Sequence, residues 1–374
     1  MFGRSYIGYE QQNNTNNVDT TYLMNGNLSK RFNNRGINLE RESGRKRILL
    51  IIDSYDWCFY NIAKTIKKEF TQYTIDILSA KDTETNITRL HNTPHNIYVF
   101  FFPTLRFTIN QLKYLKNAGI STYGKESKIF WCMYDNFSWR VHSEYTDPRM
   151  RIIRQSMVKW MNICDGYFWG SPKIRENIYN TFTLIKPNAS CMDGVNSNMF
   201  LFKDYNDDIL TKEKLKIGWI GNSDVKESGI QKGYLKIKQY VEDLSSNFDF
   251  CPLDRQIKQI PHNEVPNYIH NIDIIVCYST CEGTPNQILE GSSCGRCWVS
   301  TDVGVVSSVY NTLENNPTGI IIKKEEKAFK EALMKLYNNR NLIIEYGKNG
   351  RKAIEKKWDW KYRLEGFKRI FEQF

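Results

Sequence analysis

Residues 272–301 read IDIIVCYSTCEGTPNQILEGSSCGRCWVST. The run Ile272–Ser279 is apolar and rich in β-branched residues, and it is too short for a buried helix. It predicts a strand covered on both faces. A Gly283-Thr284-Pro285 turn follows, then a helical stretch, then the second apolar run Cys297–Thr301. Strand, turn, helix and strand in one unit indicate a parallel α/β sheet. Thr284 and Gln287 have the T-x-x-Q spacing of a capping box, with Pro285 at the first helical position. Free N–H groups at that helix end, on residues such as Asn286 and Gln287, favour an anion. Gly283 lets a ligand approach the backbone. Glu282 falls at the carboxyl edge of the sheet, and Glu290 more than a turn inside the helix. Two carboxylates at different heights beside one anion site suit a sugar nucleotide. Its diphosphate would take the helix end and its hydroxyls would donate to the glutamates. The plain alternative is a surface helix with two solvated glutamates.

Outward from this unit the same grammar recurs. RILLIID, YTIDILSA, NIYVFFFP, KIFWCMYD and GYFWGS read as strands. Between them, DWCFYNIAKTIKKEF, FTINQLKYLKNAG and RIIRQSMVKWMNICDG read as helices, the second ending at its glycine, Gly119. Ser171 is a candidate cap for the helix that Pro172 opens. A second α/β series begins near residue 191, with strands LKIGWIG, FDFCP and GIIIK around the opening unit. The amphipathic segment WKYRLEGFKRIFEQF closes the chain. The expected organisation is a flexible tail over 1–45, rich in Asn, Gly, Ser and Thr. An α/β domain follows over 46–190, a second over 191–359, and a C-terminal helix within 360–374 joins the first. In such sheets ligands bind beyond the carboxyl ends of the strands.

The 374 residues suit two domains. No apolar run approaches the roughly 20 residues of a membrane span, and the N-terminus shows no apolar signal segment. A cytoplasmic location is expected, with a peripheral membrane position also open. The nine cysteines are scattered through apolar segments and read as reduced, packed thiols. Cys277, Cys281, Cys294 and Cys297 loosely imitate a zinc ribbon, but a strand, turn and helix separate them. The net charge is +11, and residues 323–374 hold 15 Lys/Arg against 8 Asp/Glu. That surplus suits an anionic membrane surface or a nucleic acid, or only a solvated helix face. No D-x-D pair occurs that could hold a divalent ion on a diphosphate, and no H-E-x-x-H; without a Walker loop or G-x-G-x-x-G, triphosphate hydrolysis and dinucleotide binding lose support.

The segment EGTPNQILEGSSCGRCWVSTDVG resembles the donor-binding segment of the retaining glycosyltransferases of family four (glycosyl transferases group 1). Asp193-Gly-Val-Asn with Phe200 is similar to that family's N-G-V-D-x-x-x-F. IGWIGN with Lys232-Gly233 resembles its strand-glycine and Lys-Gly elements. ICDGYFWGS and KKWDWKYRLEGF match its stretches before the crossover and at the final return. The likeness covers roughly residues 47–374. It implies the GT-B fold, two Rossmann-like domains facing across a cleft with a C-terminal helix crossing back.

The resemblance further implies a metal-independent transferase that moves a sugar from a UDP- or GDP-sugar to a hydroxyl acceptor with retention. Glu290 would bind the ribose, Glu282 the sugar hydroxyls and Lys232 the diphosphate. Gly221, Asn222 and Gly283 through Asn286 would line the donor site. An ammonium at the departing phosphate stabilises the transition state. Asp53, Trp57 and Asp135 are candidates on the acceptor side. The chain departs from the family at Asp53-Ser-Tyr-Asp-Trp57, which has no glycine, and at Asn222, where an arginine is common; Lys226 or Arg255 could compensate. It also departs at Tyr134-Asp135 in place of His-Asp, and after Gly304. The acceptor stays open among a glycan, a lipid-linked sugar and modified DNA. Competing readings are a nucleotide-sugar 2-epimerase of the same fold and an inactive sugar-nucleotide or glycan-binding protein.

Overall fold

In a computed structural model of the chain, residues 44–55, 58–101, 107–134, 159–176, 186–223 and 231–374 are described. Trp57, Asp135 and Lys226, named above, lie outside them, as do the N-terminal tail and most of the helix expected before Cys164. The first sheet contains β1 (Arg47–Ile52), β2 (Thr74–Ser79), β3 (Ile97–Phe100), β4 (Lys128–Met133), β5 (Gly166–Trp169) and β6 (Asn188–Ser190). Its order is β2-β1-β3-β4-β5-β6, and every pairing is parallel. The second contains β7 (Leu215–Gly221), β8 (Phe248–Asp254), β9 (Ile274–Cys277), β10 (Cys297–Thr301) and β11 (Ile320–Ile322). Its order is β11-β10-β9-β7-β8, again parallel throughout.

The unbroken apolar runs are the strands buried on both faces. Every residue of β1, β3, β9 and β10 is buried. Such strands cannot alternate, because helices cover both sides of a parallel sheet. β6 escaped the sequence reading: three residues, Asn-Ala-Ser, carry neither periodicity nor β-branched bulk, and the strand exists by pairing with β5. Strand order reverses between β1 and β3 in the first sheet and between β7 and β9 in the second. Crevices at such reversals are where open α/β sheets take ligands. Asp53 directly follows β1, Gly221 ends β7, and Glu282 lies in the loop after β9.

One helix ends elsewhere than expected. Helix Ile109–Tyr123 runs through Gly119 and stops at Gly124, whose φ of 70° is the left-handed conformation of a helix C-cap. A Cβ on Gly119 would lie 2.6 Å from Ser127 N, so that glycine serves close packing against the following loop. At the other end Thr108 and Gln111 form a full capping box. Ser171 caps its helix as expected, accepting from Ile174 N at 3.1 Å.

The chain crosses between domains twice, and the crossings are fastened together. Val195 N donates to Trp358 O at 2.9 Å, and Ser197 N donates to the Asp359 carboxylate at 3.2 Å. Helix Glu365–Gln373 then packs onto the first domain. Phe367 stacks on Phe168 with ring centroids 4.6 Å apart, and Phe371 meets Phe70 at 5.5 Å. Both C-terminal phenylalanines are fully buried in the first core. Large aromatic burial of this kind holds a terminal helix in place.

Candidate functional site

The carboxyl edge of the second sheet gathers the predicted donor residues. Lys232 Nζ donates to Glu282 Oε1 at 2.8 Å, and Ser279 Oγ donates to the same oxygen at 2.8 Å. Gly233 (φ 68°) turns the chain from Lys232 into helix Tyr234–Glu242. Thr280 N donates to Gln231 O, which ties that turn to the loop after β9. Burial lowers the Lys232 pKa, but the Glu282 carboxylate outweighs it and the net shift is upward. The lysine is therefore a firm cation. The sequence reading gave Lys232 and Glu282 separate tasks, and the fold makes them one ion pair.

Helix Asn286–Ser293 begins at the same edge. Its start differs from the expected one. Pro285 is the N-cap (φ −73°, ψ 87°) rather than the first helical residue, and no side chain caps the helix. The Thr284 hydroxyl instead accepts from Asp193 N at 3.3 Å and donates to Gly170 O at 3.4 Å. The Gln287 side chain accepts from Ile220 N at 2.9 Å, on β7. Long-range partners have taken both halves of the expected capping box. The helix end consequently offers its first N–H groups without a competing side-chain oxygen.

Glu290, 13% exposed at its side chain, lies one turn on, with His262 Nε2 at 3.0 Å from its Oε1. The imidazole rests near the Phe200 ring, with centroids 5.4 Å apart. His262 was missed in the sequence, because nothing local distinguishes it in IPHNEVP. Asn222 Oδ1 accepts from Gln256 Nε2 at 2.6 Å, at the end of β7.

The first domain faces this edge. A Cβ added at Gly283 would come within 2.5 Å of Tyr134 O, and Thr284 reaches Gly170 beyond β5. Lys173 and Asp302 close the seam at 2.6 Å on the surface. Asp53 Oδ1 accepts from Ser54 N at 2.7 Å. Burial raises its carboxyl to about 6, while the Ser54 N–H and the Arg255 cation pull it down. That effect of Arg255 places its charge close to Asp53. Cys58, at the start of helix Cys58–Glu69, feels Asp53 and Asp193 together with Lys232. The contact of Gly283 with Tyr134 carries a prediction. Gly283→Ala should force the two edges apart and weaken donor affinity severalfold. Titration calorimetry would show it; unchanged affinity would remove Gly283 from the site.

Asp193 is a further residue brought to the site that was not singled out as functional. It is 4% exposed, and its Oδ1 is buried without a hydrogen-bond partner. Burial raises its carboxyl to about 7; Tyr134 and Asn286 oppose that rise and Glu290 reinforces it. The available signal was the motif itself, which has Asp here where the similar family has Asn.

All nine cysteines are free thiols. Cys277 and Cys297 lie in strands β9 and β10, and among the described residues no three His, Cys, Asp or Glu side chains converge as a metal site would. No described helix is long and apolar enough to cross a membrane.

Comparison with known proteins bears on the same region. The family described as glycosyl transferases group 1 matches residues 255–353. An uncharacterized glycosyltransferase of Methanocaldococcus jannaschii is 28% identical over 152 residues, 39% of each chain. A capsular polysaccharide biosynthesis glycosyltransferase, CapM of Staphylococcus aureus, is 25% identical over 187 residues, 44% of this chain and 48% of that one. The chain thus spans less than half the length of these relatives. Similar solved structures include sucrose-phosphate synthase from Thermosynechococcus elongatus, with TM-score 0.61 and 12% identity over 88% of this chain and 99% of that one. Anabaena HepE in complex with UDP and glucose gives TM-score 0.59 and 11% identity over 88% and 100%. Residues 255–353 match the glycosyl transferases group 1 family, and the chain has the GT-B fold.

Proposed function

We propose that the chain is a glycosyltransferase that moves a sugar from a UDP- or GDP-sugar to a hydroxyl acceptor, with retention and without a metal. The observation that carries this reading is the uncapped end of helix Asn286–Ser293, flanked by the Lys232–Glu282 pair and by Glu290 one turn on. The donor diphosphate takes the helix N–H groups and the Lys232 ammonium. Glu282 accepts from sugar hydroxyls and Glu290 from the ribose. The bond between the sugar and the diphosphate breaks through an oxocarbenium-like state, and the negative charge gathers on phosphate beside Lys232. The acceptor hydroxyl attacks from the face the leaving group vacates and gives its proton to a phosphate oxygen. Asp53 orients that hydroxyl from the first, acceptor-side domain, and residues 191–359 form the donor side.

A thermal-shift series across UDP-, GDP-, ADP- and dTDP-sugars tests the donor. Ligand at 100 times Kd stabilises by about 2.7 kcal/mol. Glu290→Ala should lose at least tenfold in affinity, since a charge-assisted hydrogen bond is worth about 1.5–3 kcal/mol. An equal shift in both proteins would remove Glu290 from the ribose site, and no shift with any donor would remove the function. A sugar-nucleotide-binding protein without activity would give the same shift but release no nucleoside diphosphate when offered acceptors.

For the acceptor, the basic C-terminal surface favours a polyanionic or membrane-borne molecule. Lys352, Lys356, Lys357, Lys361, Lys368 and Arg369 are all exposed. Retention on heparin or duplex DNA should then fall steeply with salt, and absence of retention near physiological salt would reject it.

A further inference from the structure

Asp193 has no task in the mechanism above, yet it stands where the two domains meet the donor helix. Its backbone N–H is bound to Thr284, two residues before Asn286, the first residue of that helix. Its Oδ1 is enclosed and unpartnered, and among the described residues the groups that hydrogen-bond the carboxyl, Tyr134 and Asn286, are both neutral. The groups around it are Tyr134 and Cys132 at the end of β4, Cys58 from the helix after β1 and Cys191 in its own segment. Asn286 and the Glu290 carboxylate face it from the donor helix. Arg363 packs against neighbouring Gly194 and over the Trp358 ring at 5.0 Å, with its Nε and Nη1 buried and without a hydrogen-bond partner.

A carboxylate at this position would be an anion lodged beside the end of a helix that the donor diphosphate must also occupy. Lys232 is paired with Glu282 at 2.8 Å rather than with Asp193. Glu290 adds a second negative charge on the same helix. Like charges a few ångströms apart in a poorly hydrated site repel by several kcal/mol. We propose that Asp193 must carry a proton for the diphosphate of a nucleotide sugar to occupy the neighbouring helix end, so that donor binding takes up a proton. The inference rests on the donor reading above and deepens it. Burial, reinforced by Glu290, outweighs the hydrogen bonds from Tyr134 and Asn286 and places its titration close to pH 7. Asparagine, the residue of the similar family's motif, would leave the helix end available at every pH.

The test is titration calorimetry of the full chain with whichever UDP-, GDP-, ADP- or dTDP-sugar binds. It is run at pH 6.5, 7.5 and 8.5 in two buffers of different ionisation enthalpy. The expected result is uptake approaching one proton per donor at the highest pH, with affinity falling towards tenfold per pH unit above neutrality. Asp193→Asn should bind without uptake and without that fall. Zero uptake by the wild type overturns the proposal even if the variant does not fold, and uptake by the wild type with a flat Asp193→Asn supports it. Uptake that survives Asp193→Asn and disappears in Asp53→Asn assigns the proton to Asp53 and overturns it as well. Binding without proton uptake leaves the donor reading standing, whereas no binding across the panel sinks both.

Discussion

Lys232→Met is expected to lower kcat by about two to three orders of magnitude, the typical cost of losing one preorganised electrostatic contact to a transition state. The effect should fall more on kcat than on KM, because the charge on phosphate grows as the sugar leaves. The substitution also leaves Glu282, 14% exposed at its side chain, with the Ser279 hydroxyl and no cation. Stranding a largely buried carboxylate costs about 1–3 kcal/mol of stability, so the melting temperature must be followed beside the kinetics. Glu282→Gln separates the two effects: it removes the pair but keeps the ammonium. A Lys232→Met enzyme with unchanged kcat would make this lysine a structural partner of Glu282 and nothing more.

Asp193→Asn should make the protein more stable at alkaline pH than at acid pH, relative to the wild type. The folded carboxyl titrates at about 7, above its ordinary value of 3.8. Stability from such a group is fully present below pH 3.8 and is lost as the pH rises through 7, because the unfolded chain releases the proton first. Above that window the wild type carries the whole penalty, on the order of 4 kcal/mol. Asparagine carries none of it. The stability difference between variant and wild type should therefore grow by roughly 2–3 kcal/mol from pH 5 to pH 8 in urea unfolding. All other titrating groups are shared and cancel. Parallel stability curves would show that Asp193 is ionised in the folded protein, contrary to its enclosed surroundings.

Much of this architecture was legible from local pattern. A strand covered on both faces must be apolar throughout, so β1, β3, β4, β9 and β10 announced themselves. β6 did not, since a three-residue edge strand is made by its neighbour rather than by its residues. Gly119 misled because glycine serves close packing as well as helix ends, and only Gly124 has the left-handed backbone that a cap needs. Among site residues, Glu282 and Glu290 came from their types and spacing, and Lys232 from the likeness of its Lys-Gly element to the family. His262 and Ser279 are partners of those glutamates and carry no signal of their own in the chain.

By itself the sequence determined the strand-helix alternation, the turn and helix that follow β9, and the two glutamates beside that turn. These follow from periodicity and backbone preference, which act over a few residues. Only the tertiary structure decided what each polar group binds. Thr284 and Gln287, three residues apart, could have capped their own helix. Gly170, Asp193 and Ile220 took them instead, because a contact made on folding can outcompete a local one. Lys232 found Glu282 across fifty residues, and Asp193 was left enclosed with its Oδ1 unpartnered. The charge of the site is thus a property of the packed domains, where low dielectric and missing water set the energies, and it is written in no single stretch of the chain.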